Sequence, residues 1–200
     1  MIYPKKLEEI IEYYKKLPGI GEKSAERMAL STLDMPTEQV ENFSTSLVEA
    51  KNILRPCRIC GHITDKEVCD ICSDEGRDKN IICVLEDYKS VFTFEKTGNF
   101  KGVYHVLNGL ISPTEGVGYD DINLPSLLDR IEKLEKPELI LALKSNIEGE
   151  TTTLFIKKIL EGKNVVISRL SYGIPIGADI DYMDTVTLDK ALDDRKQISE

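Results

Sequence analysis

The sequence predicts a mixed fold, α+β overall with an α/β core. In chain order it has a helical N-terminal segment, a small cysteine knuckle, an α/β domain with a mostly parallel sheet, and a C-terminal extension. Three observations carry that prediction. Apolar residues in the first 56 positions recur at helical spacing, with a Pro/Gly interruption at residues 17–21. Four of the five cysteines fall in two C-x2-C pairs within residues 57–72. From Asn80 onward, short apolar runs alternate with helix-like stretches, the pattern of a sheet flanked by helices. The expected divisions are 1–56, 57–72, 80–175 and 176–200.

Leu7, Ile10, Ile11, Tyr14 and Leu17 place an amphipathic helix over residues 5–17. Leu-Pro-Gly-Ile-Gly breaks it. A second helix is expected from Glu22 to Leu33 and a third from Thr37 to Leu54, with Thr37 as a cap after Pro36. Ile81-Ile82-Cys83-Val84-Leu85 is a continuous apolar run, as in a buried parallel strand, and Cys83 reads as a small core residue. Strands are also expected over 103–106, 139–143 and 165–168, and helices over 124–134 and 148–160. Residues 107–123 are punctuated by Gly and Pro and read as a long loop of the kind that carries function. The tail holds a Gly-Ile-Pro-Ile-Gly turn region, acidic residues and a short helix near Leu188–Leu192. There is no internal repeat.

With 41% hydrophobic and 30% charged residues the chain reads as globular rather than disordered. Its 200 residues suit two small domains, or one with appendages. No apolar run approaches the roughly 18 residues that span a bilayer. The N-terminus lacks a long apolar stretch, so no signal peptide and a cytoplasmic location are expected. The net charge of −9 has the wrong sign for a nucleic-acid binder. Its distribution matters more. Residues 1–56 carry 8 basic and 9 acidic side chains, whereas residues 81–200 carry 14 and 20. The acidity lies mainly in the C-terminal part, which leaves the N-terminal part able to present a local basic face.

Cys57, Cys60, Cys69 and Cys72 form C-x2-C-x8-C-x2-C. Each pair lets two thiolates converge from one tight turn, and two turns complete a tetrahedron for zinc. In a cytosolic setting paired C-x2-C motifs favour metal over disulfides. Separate redox dithiols are the blander reading. Four sulfurs leave no position for water, so the expected role is structural. His62 is a spare ligand that the site does not need, and it reads as a surface histidine.

Between the first two helices, Gly19 and Gly21 permit close backbone approach, and the next helix offers N–H groups to a phosphate. Lys23 and Arg27 lie one turn apart and reach the same phosphates. Such contacts carry no base information, so binding is expected to be independent of sequence. A turn that only packs two helices is the alternative. The stretch LPGIGEKSAERMAL resembles the helix-hairpin-helix motif.

ICVLED, with Glu86 closing a strand, and IEGETT, with Glu148 and Glu150 opening a helix, resemble a Toprim domain. In catalytic Toprim enzymes the second strand ends in an Asp-x-Asp pair that binds divalent metal with the glutamate. Here Lys144-Ser145-Asn146 stands at those positions. The three glutamates could attract a weak cation, which a lysine would oppose. With CRICGHITDKEVCDICSDEGRD, GVYHVLNGLISPTEGVG and GIPIGADIDYMDTVTL in the same order, the whole chain resembles the RecR family of recombination mediators. That resemblance implies a non-enzymatic DNA-repair factor that binds single-stranded and duplex DNA. It implies a homodimer or homotetramer ring, partners RecO and RecF, and help in loading recombinase on single-stranded or gapped DNA at the nucleoid. It maps DNA binding onto Gly19, Gly21, Lys23 and Arg27, one zinc ion onto the four cysteines, and partner contact onto Glu86, Glu148 and Glu150. The tail is then a subunit-contact segment. The alternative is a metal-dependent, Toprim-type DNA-processing enzyme. Asp179, Asp181 and Asp184 read as a solvated loop or a subunit contact, because no GxxxxGK[ST] phosphate cradle accompanies them.

Overall fold

Pro4, with φ at −58°, starts α1 (Lys5–Lys15). Ile11 is buried against Ala25 and Ala29 of α2 (Glu22–Leu33), with Leu7, Ile10 and Tyr14 packed beside them. The alanines let the two helix backbones approach closely. Tyr14 Oη shares a 2.7 Å hydrogen bond with Thr32 Oγ1, fixing the register of the pair. α3 (Thr37–Ile53) follows Pro36 and buries no residue. The computed structural model describes residues 3–171 and 173–197. Its chain divides into two units, Met1–Leu54 and Arg55–Glu200.

The second unit opens with a two-residue antiparallel ladder between β1 (Arg55–Pro56) and β2 (Ile63–Thr64), followed by the single turn α4 (Asp70–Ser73). Then come β3 (Ile81–Leu85), α5 (Tyr88–Glu95), β4 (Val103–Val106), α6 (Leu124–Ile131), β5 (Glu138–Ala142), α7 (Ile147–Ile159), β6 (Val166–Arg169) and α8 (Thr185–Asp193). The sheet has the order β4-β3-β5-β6, and every pairing is parallel. β3 is central, which explains its unbroken apolar run: both of its faces are covered. Ile82 and Val84 face a core with Leu139, Leu141, Leu124, Leu127 and Ile156. Cys83 and Leu85 face the opposite cluster with Val91, Tyr104 and Val106. Truncating a wholly buried residue such as Leu139 to alanine costs about 2–5 kcal/mol. Burial pushes the Cys83 thiol up to about 12, as befits a core residue.

Four expectations shift. The first helix stops at Lys15, short of Leu17, before the turn that the glycines make. α5 has no signature in periodicity, because only Val91 is buried from it; its start is set by Asp87, which accepts from the Lys89 and Ser90 amides. The tail helix begins at Thr185 because Asp184 caps it, accepting from Thr187 N at 2.9 Å. Asp179 likewise accepts from Asp181 N at 3.2 Å over a 3-10 turn, so two of the tail's acids serve local turns. Residues 107–123 pack more tightly than a loose loop. Leu107, Leu110, Ile111 and Ile122 are buried, and Ile111 N donates to Thr152 Oγ1 of α7 at 2.9 Å.

Candidate functional site

The four predicted cysteines converge. All are buried, and one ligand sulfur from each lies within 4.8 Å of the others. Two turns build the cluster. Cys57 N donates to His62 O at 2.7 Å and Gly61 N to Cys57 O at 2.9 Å, with Gly61 in the left-handed region at φ +73°. Cys69 N donates to Cys57 Sγ at 3.3 Å, an amide aimed at sulfur. The Cys60 and Cys69 sulfurs are 3.6 Å apart. Zinc–sulfur bonds of about 2.3 Å set tetrahedral sulfurs about 3.8 Å apart, so the geometry fits zinc. Hydrogen bonds from Cys60 and Cys72 hold the Cys69 thiol far below its ordinary range, while hydrogen bonding with Cys69 and Cys72 holds Cys60 far above it. Thiols this crowded divide their protons unequally, and a dication lets all four bind as thiolates.

His62 corrects the sequence reading. It is buried, edge-on to Phe92 with ring centroids 5.0 Å apart, and burial holds its imidazole below the usual range. The unforeseen α5 covers it. His62 is not part of the four-sulfur cluster.

The knuckle is seated on the edge of the sheet. Val106 N, on edge strand β4, donates to Cys60 O at 2.7 Å, which covers part of an otherwise open edge. Asn123 Nδ2 donates to Val106 O at 2.9 Å, and Lys79 Nζ to Cys72 O at 2.8 Å. A Cβ on Gly61 would sit 2.8 Å from both Asn123 Nδ2 and Val106 O. Arg77, which sequence reasoning passed over, clamps the segment after the knuckle. Its guanidinium donates to both Glu95 oxygens, at 3.0 and 2.6 Å, and to Gly102 O at 3.1 Å, while Tyr104 Oη donates to Glu95 at 2.7 Å.

In the first unit, Gly19 has φ +78°, and Ile20 N donates to Leu17 O at 3.2 Å across the turn. Gly21 caps α2 in an extended conformation. A Cβ at either glycine would meet no atom within 4 Å. Backbone geometry demands glycine at position 19; among the described residues nothing demands it at 21. No side chain caps α2, so the amides of its first turn are left for water or a ligand. Lys23 and Arg27 are exposed on the same helix, and Glu22 is the acid of its first turn.

At the carboxyl end of the sheet, Glu86 follows β3 and Lys144 follows β5 by two residues. Lys144 Nζ donates to Glu86 Oε1 at 2.7 Å. Asn146 Oδ1 caps α7, accepting from Gly149 N at 2.9 Å. Glu148 lies in the first turn of α7. Glu150 faces the tail side, 3.6 Å from Arg169 and 3.9 Å from Lys190 of α8. The three glutamates therefore do not form one ligand set in the observed contacts. Gly149 between them is sterically required: a Cβ there would lie 1.9 Å from Lys144 O.

A helix-hairpin-helix segment, a closed four-thiolate zinc module and a Toprim-type parallel sheet together define a zinc-bearing Toprim protein class. Family models agree piece by piece: the RecR helix-hairpin-helix over residues 7–51; the RecR four-cysteine zinc finger domain over 54–74; the Toprim domain over 80–171; and the RecR C-terminal region over 173–196. The chain is similar to Recombination protein RecR of Staphylococcus aureus (strain Mu3 / ATCC 700698) and of Staphylococcus haemolyticus (strain JCSC1435). Each is 45% identical over 198 residues, covering 99% of this chain and 100% of the relative. The chain belongs to the RecR family.

Proposed function

We propose that this chain is a non-enzymatic recombination mediator of DNA repair. It binds single-stranded and duplex DNA without regard to sequence, and acts with RecO and RecF to help load recombinase on gapped DNA. The observation that carries the DNA-binding reading is the entry to α2: an uncapped helix N-terminus, a glycine at 21 with no internal reason, and two exposed cations beside it. Phosphate oxygens satisfy such amides, and only a residue without Cβ lets a phosphate come that close. Among the described residues no helix is long and apolar enough to cross a membrane. In this reading the chain acts on cytoplasmic, nucleoid DNA.

The zinc module is structural in this reading, because its donor set is complete without water. Glu86, Glu148 and Glu150 belong to the face offered to partner proteins. Oligomerisation is supported by unpartnered apolar surface. Phe43, Leu47 and Val48 of α3 and Leu30 and Leu33 of α2 are each 46% exposed or more, apolar side chains of the kind that mark an interaction surface. A second copy buries it, and a ring multiplies weak DNA contacts in a chain of net charge −9.

The test is DNA binding across a salt series. The double variant Lys23→Ala/Arg27→Ala keeps its fold and loses affinity. Its log–log salt dependence flattens by about 1.4–1.8, two phosphate contacts fewer. Unchanged binding at low salt refutes the site. Magnesium-dependent plasmid cleavage by the pure protein refutes the non-enzymatic reading, and a monomer at all concentrations in light scattering refutes the ring.

A further inference from the structure

We propose that Lys144 is a built-in cation of the Toprim apex: its ammonium holds the place beside Glu86 that a divalent metal takes in metal-using members of the fold, and it excludes such metals from this chain. The inference rests on the fold of the second unit and not on the mediator reading.

The strand order places the apex. β4 lies on one side of β3 and β5 on the other, so the connections diverge between β3 and β5. In open parallel sheets, ligands enter at the carboxyl ends of the strands at that divergence. Glu86 and Lys144 sit there, one on each strand end, joined at 2.7 Å. Glu86 is mostly withdrawn from water, with its side chain 20% exposed, whereas Lys144 reaches in from solvent with its side chain 63% exposed. The second carboxylate oxygen, Glu86 Oε2, is buried with no hydrogen-bond partner. A carboxylate in that setting requires a neighbouring positive charge. Lys144 supplies it, and the contact in turn raises the lysine's pKa, so the ammonium stays charged.

Among the described residues the remaining donors do not assemble a metal site: Asp87 and Glu148 act on Lys144 through their charge, Asp87 caps α5, and no three carboxylates converge here. Asn146 Oδ1 is occupied by the Gly149 amide. Glu150 is met by Arg169 and Lys190. The residues present therefore do not fit the divalent metal that the fold accommodates elsewhere. A dication would have to displace an ammonium already bonded to its strongest ligand. The consequence is an apex that keeps one charge state whatever the magnesium concentration.

Manganese binding to the zinc-loaded protein, read by loss of the free-ion electron paramagnetic resonance signal, tests this. The wild-type chain is expected to leave the signal unchanged at concentrations where Lys144→Asp binds about one ion per chain. Affinity should differ by at least about tenfold, because a repelling charge is replaced by a ligand. Lys144→Asp combined with Glu86→Gln is expected to lose the ion again. Lys144→Asn, which removes the cation without adding charge, covers the case in which Lys144→Asp fails to melt cooperatively, and is expected to bind more tightly than wild type. Glu86-dependent binding by the wild type overturns the proposal. So does equal behaviour of wild type and the Lys144 variants, whether both bind or neither does.

Discussion

Replacing Gly61 by alanine probes how the zinc knuckle is held on the sheet. Two costs add. Position 61 has φ +73°, where an L side chain costs about 1–2 kcal/mol. The new Cβ also lands 2.8 Å from Asn123 Nδ2 and 2.8 Å from Val106 O. One of these is backbone of β4, which cannot swing aside, and overpacking of this kind costs about 1–3 kcal/mol. Gly162 is the internal reference. It lies in the same unit with φ +78°, and a Cβ there meets nothing within 4 Å, so Gly162→Ala bears the backbone cost alone. For a unit of this size 1 kcal/mol moves the melting temperature by about 3 °C. Gly162→Ala is expected to lower it by about 3–6 °C and Gly61→Ala by about 6–15 °C. Thermal melts followed by circular dichroism measure both, and a chromogenic zinc-release assay reports whether Gly61→Ala also loosens the metal. If the two variants melt together, the knuckle is not seated on Val106 and Asn123, and the docking argument fails.

Zinc removal by a strong chelator, or Cys57→Ser, is expected to lower the melting temperature and expose thiols to a disulfide reagent; Cys83 should stay unreactive until the sheet unfolds. Unchanged melting after complete zinc loss would contradict a structural role. Burial holds His105 at about 4, against 6.5 when exposed, with its Nε2 paired to Asn123 O. The unfolded chain therefore binds the extra proton between those values. His105 gives stability that is complete above pH 6.5 and is lost as pH falls toward 4, about 3 kcal/mol in all. Denaturant melts from pH 7 to 4 should show this slope in the wild type and a shallower one in His105→Gln; parallel slopes would show that His105 is not held neutral. Gly149→Ala places a Cβ 1.9 Å from Lys144 O, and is expected to cost more than about 2 kcal/mol and to disturb the Glu86–Lys144 pair. A variant as stable as wild type would mean that the start of α7 shifts freely.

Much of the architecture was legible in the chain. α2 runs over the expected residues, and β3 and β4 occupy the expected runs, because a helix that buries one stripe and a strand that buries both faces leave patterns readable within a few residues. α5 was not legible: one buried valine makes no stripe, and its capping aspartate stands in a segment rich in other polar residues. The burial of His62 followed from that omission. The acids of the tail were legible as acids but not as caps, since capping depends on which backbone amides happen to be free.

Local backbone chemistry is what the sequence determined by itself. Four thiolates at C-x2-C spacing can close on one ion, and Gly19 is demanded by a left-handed turn. The apolar run at β3 demands cover on both faces. Each of these requirements acts within a few residues and needs no knowledge of the rest of the chain. Tertiary structure alone decided what those pieces touch. Glu86 and Lys144 are 58 positions apart, and they meet because β3 and β5 pair in parallel with Leu85 opposite Ala142. Val106 seats the knuckle because β4 is an edge strand with an amide to give. Strand order and register bring these groups together, and both are set by the packing of the whole second unit.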